Sequence, residues 1–134
     1  MIDVESKVYT PLRNALVLAY PSIFVTSEPT ATQAKFPAVS IVQQDNYMSI
    51  NKLDSGNAEK YATVMFQVDV YSNKASGKKT QCKEIMGVID TLMYGMNFTR
   101  LSLTPFPMEN EGYYRLTARY RAETDGTTMY RNKF

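Results

Sequence analysis

Histidine is absent from this sequence and cysteine occurs once. The first absence removes the commonest general base and the commonest metal ligand. With Cys82 as the sole thiol, a zinc site would have to be all carboxylate, against the nitrogen and sulfur sets that zinc takes. A disulfide within the chain is excluded. Cys82 falls on an apolar helical stripe, which reads as a buried structural thiol rather than a reactive one. A lone cysteine fits a reducing compartment. Long apolar runs are missing too, and none approaches the ~20 residues of a membrane span. The first residues carry Asp3 and Glu5 and lack the basic start and apolar centre of a signal peptide. The sequon Asn97-Phe98-Thr99 is therefore expected to be silent. Excess charge is also missing. A net charge of +2 implies neither nucleic-acid nor membrane binding.

What is present suits a soluble globular protein. The chain is 44% hydrophobic and 21% charged, which is ordinary for such proteins. Its 134 residues suffice for a single domain, 1–134, with a real core. Tyrosine is abundant at 10 and methionine at 8. Both suit protein interfaces, and both also fill cores and rims.

The chain is organised around a strand that runs into a helix. Ala62–Ser72 alternates: Ala62, Val64, Phe66, Val68 and Val70 point one way, and Thr63, Met65, Gln67, Asp69 and Tyr71 the other. That period predicts a half-buried strand. From Ser76 to Tyr94 the period changes. Cys82, Ile85, Ile89, Leu92 and Met96 recur at helical spacing, with Met86 and Met93 beside them, and Gly95 stands where the helix should stop. Before this pair, Asp3–Tyr20 reads as a helix with Val4, Val8, Leu12, Leu16 and Ala19 on one face and Asp3 as its cap. Pro11 either kinks that helix or opens it afresh. Ile23–Thr26 and Ala38–Gln44 read as strands, the latter with Val39 and Ile41 inward. A long loop, 45–59, follows, although the alternation of Met48 and Ile50 allows the strand to continue past a bulge. The loop is expected to be a flexible arm, since connections of its length are uncommon and often functional. Phe98–Met108 is a strand placed at an edge by Pro105 and Pro107, with Leu101 and Leu103 sharing a face. Tyr113–Ala122 is a second clean strand, and a polar tail, 125–134, closes the chain. The order α-β-β-β-α-β-β predicts an α+β fold: one mostly antiparallel sheet with two helices packed mainly on one face.

The motifs exclude more than they assign. Ser72–Thr80 sits where a phosphate loop would, between strand and helix. Ser72 stands where the glycine is needed and Lys79 where Ser or Thr is needed, so nucleotide binding is not expected. Lys74, Lys78, Lys79 and Lys83 cluster at the helix start, either as a solvated face or to meet an acidic partner. Arg115, Arg119 and Arg121 line one face of the last strand, which is either a binding row or the wet side of a half-buried strand. Tyr113 and Tyr71 could add stacking for single-stranded nucleic acid. Asp69, Glu84 and Asp90 read as outward acids and form no catalytic pair.

Several stretches together resemble the tail terminator (tail completion) family of long-tailed bacteriophages. They are Phe36–Ile41 with Asp45-Asn46; Val68–Asn73 leading into Gly77-Lys78-Lys79 and Ile85-Met86; Asp90; Asn97–Arg100; and Tyr114–Tyr120. The match covers most of the chain in order. The resemblance implies an α+β subunit of a homohexameric ring that caps the tail tube and joins it to the head connector or stopper. It places the protein at the tail–neck junction of a virion assembled in the host cytoplasm, with DNA passing near the lumen. It implies no enzyme activity, no cofactor, no metal and no membrane contact. A head-side connector protein and a small nucleic-acid-binding module are the alternatives. Residue character then nominates interface positions: Asp45, Asn46, Tyr47, Lys52 and Asp54 on the arm; Lys78, Lys79 and Lys83 on the helix; Arg115, Arg119 and Arg121 on the last strand; and Tyr130 on the tail.

Overall fold

The computed structural model describes residues 1–28, 36–48, 61–108 and 112–130. The elements are α1 (Glu5–Ala19), β1 (Phe24–Thr26), β2 (Ala38–Met48), β3 (Ala62–Ser72), α2 (Lys78–Gly95), β4 (Thr99–Met108), β5 (Tyr113–Thr124) and β6 (Met129–Tyr130). The sheet runs β1-β2-β3-β5-β4, with β6 against β5. Only the β1–β2 pairing is parallel among these strands. This is the expected α+β architecture, extended by a short strand in a stretch expected to be tail.

Both helices join one core on one sheet face. Val8, Leu12 and Leu16 of α1 and Cys82, Ile85, Met86, Ile89 and Met93 of α2 cluster with the inward side chains of the sheet. Those side chains follow the register: Val39 faces Val70, Ile41 faces Val68, Phe66 faces Tyr120 and Val70 faces Leu116. The central alternation of β3 thus points the predicted residues into the core. Phe66 and Phe98 meet edge to face, centroids 5.7 Å apart.

Several details differ from expectation. α1 starts at Glu5 with Val4 at the cap position and no side-chain cap. Asp3 Oδ1 instead accepts the Glu5 N–H at 3.1 Å. One helix does pass through Pro11, one of the two readings expected; the proline is exposed and removes one backbone donor from the helix. Ala19 is exposed. On α2 the buried stripe is Cys82, Ile85, Met86, Ile89 and Met93, while Leu92 and Met96 are half-buried. Helix α2 stops at Gly95, as expected, and a Schellman turn follows in which Asn97, with φ 67°, takes the left-handed position. The Phe98 N–H reaches the Met93 carbonyl at 2.9 Å and the Asn97 N–H that of Tyr94 at 3.0 Å.

β2 does continue past a bulge. Its register shifts between Gln43 and Asp45, and Asp45–Met48 pair with Ala62–Met65. The rest of the expected arm, 49–59, lies outside the described residues, and with it Lys52 and Asp54. β4 lies at the sheet edge, as its prolines require. A shift between Arg100 and Ser102 breaks its alternation, and Leu101 and Leu103 are both exposed.

Candidate functional site on the outer sheet face

The sheet face opposite the helices carries the polar side chains of β3 and β5. Register brings Asp69 opposite Thr117, Gln67 opposite Arg119, Met65 opposite Arg121 and Thr63 opposite Glu123. The three arginines expected to form a row therefore do lie together. They are not three free charges. Arg115 Nε donates to Asp69 Oδ1 at 3.0 Å, and Arg121 Nη2 to Glu123 Oε1 at 3.0 Å. Among the described residues, Arg119 Nε donates only to the amide oxygen of Gln67, at 3.4 Å.

Asp69 is the correction that matters most here. Read as an outward surface acid, it is 5% exposed. A buried carboxylate requires partners, and Asp69 has them: Arg115, the Thr117 hydroxyl and Gln67 Nε2, the last at 3.0 Å. Gln67 also accepts from Gln44 Nε2 at 2.8 Å, so one network ties β2, β3 and β5. Burial acts to lower the Arg115 pKa, but the hydrogen bond and Coulombic attraction of Asp69 outweigh it and the pKa rises. A second buried acid, Glu123, accepts from Thr63 Oγ1 at 2.8 Å as well as from Arg121.

At the Ser72 end of β3 this face turns aromatic. Tyr113 lies 5.5 Å from Phe36 and 5.7 Å from Tyr71. The Arg115 guanidinium stands 5.2 Å from the Phe106 ring and 5.9 Å from that of Tyr71. Within ~6 Å of the ring centroid this is cation–π range. Sequence reading singled out Tyr71 and Tyr113 but missed Phe36 and Phe106. Phe106 comes into place through the β4–β5 register, which sets it opposite Arg115, and Phe36 through the tertiary contact with Tyr113.

The other nominated residues lie elsewhere. Lys79 and Lys83 are exposed and Lys78 half-buried on α2, away from the arginines. Lys83 borders a groove of ≈ 240 Å³ between α2 and β4, with Met86, Gly87, Asp90, Arg100, Leu103 and Leu116. Asp90 is not a simple surface acid: it accepts from buried Tyr120 Oη at 2.9 Å and from Arg100 Nη1 at 3.1 Å. Burial first, then this bond, raises the Tyr120 pKa. Asp45 and Asn46 line a separate concavity of ≈ 400 Å³ with Asp3 and Glu5. Asn46 Nδ2 also holds the Ile2 carbonyl at 2.7 Å. Tyr130, on β6, donates to Asp125 Oδ2 at 3.1 Å.

This arrangement offers surfaces for binding. Among the described residues no group of His, Cys, Asp and Glu side chains is placed to hold a metal ion. Among the described residues no helix is long and apolar enough to cross a membrane.

Solved structures supply a relationship of fold. The chain resembles a protein of a virion particle. That protein is a chain of the virion of a native gene transfer agent (GTA) particle, 17% identical, with a TM-score of 0.61. The likeness covers 89% of this chain and 92% of that one. No family model matches the sequence, and no curated protein does.

Proposed function

We propose that this protein is a structural part of a phage-like virion, without catalysis: a tail terminator whose subunits form a ring that caps the tail tube and joins it to the head connector. The fold shared nearly end to end with a chain of a GTA virion carries the reading. The ordered resemblance from Phe36 to Tyr120 narrows it to the tail terminator. Its partners on this reading are five further copies of itself, the tail tube protein and a connector or stopper protein, at the tail–neck junction. The paired arginines of the outer face support protein contact over a phosphate-binding row, since two of the three are matched by carboxylates.

The test is a reconstruction of particles that carry the chain, together with particles from which it is deleted. The expected result is sixfold density between tube and connector, and tails that fail to join heads when the chain is absent. Density on the head side of the neck would make it a connector protein. Normal joined particles without it would overturn the reading.

A further inference from the structure

Two strips on opposite sides of the sheet complement each other. The first is the β4 edge. Leu101, Leu103 and Phe106 are 49%, 44% and 42% exposed. Large apolar side chains gathered on one edge mark an interaction surface. Pro105 and Pro107 interrupt the donors that an added strand would use, so a partner meets this edge through side chains. Beside it lies the α2–β4 groove, with Met86, Leu103 and Leu116 as its apolar lining and Lys83 and Arg100 at its rim. Asp90 offsets Arg100 in part.

The second strip is the corner where α1 begins and β2 ends. Asp3, Glu5 and Asp45 line its concavity, and Tyr47 beside them is 45% exposed. Arg100 of the first strip and Asp45 of the second lie at nearly one level of the sheet, whereas Leu103 and Phe106 lie nearer its other end, level with Ile41 and Ala38. Asp45 faces Met65, Met65 faces Arg121, and Arg121 faces Thr99, the neighbour of Arg100. Strands β3 and β5 stand between β2 and β4. β1 pairs with β2 only at Ala38–Ser40, well before Asp45.

We infer that these strips are the two halves of one contact between successive copies of the chain. The β4 edge and groove of one copy receive Tyr47 and the acidic corner of the next, with Lys83 and Arg100 opposite Asp3, Glu5 and Asp45. Charge decides the pairing. Groove against groove, or corner against corner, would set like charges together at a cost. Two different patches make a heterologous contact, which generates a ring when the rotation closes and a filament when it does not. The inference rests on the proposed ring role in one respect, that the occupant is another copy.

Two double variants test it. Lys83→Glu with Leu103→Glu reverses the groove, and Asp3→Lys with Asp45→Lys reverses the corner. All four positions are exposed, and melting curves by circular dichroism confirm that each variant is folded. Native mass spectrometry and sedimentation velocity read the assembly. The wild type is expected to assemble. Each variant alone should stay monomeric, or need at least about tenfold more protein, a loss of ~1.4 kcal/mol. An equimolar mixture should assemble again, because each variant's native strip meets its match and the two reversed strips match each other. A single chain carrying all four substitutions should assemble as well. A wild type that stays monomeric at its highest soluble concentration, variants that assemble unaided, or folded variants that do not recover on mixing would each overturn the contact. Particle reconstruction is scored separately. Sixfold density at the neck with these variants unaffected removes the contact and keeps the virion role; recovery on mixing without any density in particles does the reverse.

Discussion

Arg115 reaches diagonally across β3 and β5 to set its Nε 3.0 Å from Oδ1 of Asp69. The carboxylate side chain is 7% exposed and the guanidinium side chain 30%. Most of the desolvation cost thus falls on Asp69, which three donors offset. This pair is the hinge between the polar network and the aromatic end of the outer face.

Removing Asp69 should destabilise the fold more than an ordinary surface charge. Asp69→Ala is expected to cost about 1.5–3 kcal/mol, the range for hydrogen bonds to charged groups. The ~3–5 kcal/mol of a fully buried broken pair is too much, because Arg115 keeps contact with water. Asp69→Asn retains an acceptor and should cost less. Urea denaturation checks both; an Asp69→Ala midpoint equal to wild type would mean the network contributes nothing.

Core substitutions on α2 should rank by observed burial. Ile89 is 0% exposed, so Ile89→Ala should cost about 2–5 kcal/mol. Leu92→Ala should cost clearly less, because Leu92 is half-buried. Lys79→Ala should stay within about 0.5 kcal/mol. Equal losses at Ile89 and Leu92 in denaturant melts would contradict the observed difference in burial.

The contrast between Ile89 and Leu92 also shows what could be read in the sequence. Period-two and helical patterns located β3, α2 and β5 because a buried face imposes apolar residues at fixed intervals. On α2 the pattern locates Cys82, Ile85 and Ile89 in the core but does not rank Leu92 and Met96, which are half-buried, below Met86 and Met93, which are buried, because all four are comparably apolar and tertiary packing chooses among them. Asp69 was misread because alternation reports which face a residue is on, not what covers it. Two of its three partners, Arg115 and Thr117, are 46 and 48 residues away. The parallel β1–β2 pairing and the β6 strand depend on tertiary placement that a three-residue or two-residue segment does not encode locally. The Arg row was visible as a row, but its neutralisation by Asp69 and Glu123 required the register.

Burial pushes the Cys82 thiol up from 9.0 to about 12. Its sulfur lies 3.5 Å from the Tyr114 carbonyl and 3.6 Å from that of Val70. The native thiol should therefore resist disulfide reagents at pH 8 and react only on unfolding. Above pH 9.0 the unfolded chain releases this proton while the folded chain holds it until about 12. The unfolded state then binds fewer protons, so stability falls as pH rises through that window. The slope approaches ~1.4 kcal/mol per pH unit for this one group. Comparison with Cys82→Ala isolates the thiol from the tyrosines, and wild type should lose stability more steeply. Parallel pH curves for the two proteins would show that Cys82 takes no part.

The pairing of the arginines makes a quantitative statement about nucleic acid. Three free arginines on single-stranded DNA would give a salt dependence of about −2, at roughly −0.7 per phosphate contact. Arg115 and Arg121 are held by Asp69 and Glu123, and releasing either would take from a buried carboxylate its charged partner. Arg119 alone is left to meet a phosphate, so the logarithmic slope of affinity against salt should be near −0.7. Arg119→Ala should abolish what binding there is, whereas Arg121→Ala should chiefly lower stability by removing one partner of the buried Glu123. Fluorescence anisotropy of a labelled oligonucleotide between low and physiological salt measures the slope. A value of −2 or steeper would show that the carboxylates release their arginines to DNA, and the outer face would then be a nucleic-acid surface rather than a protein-facing one.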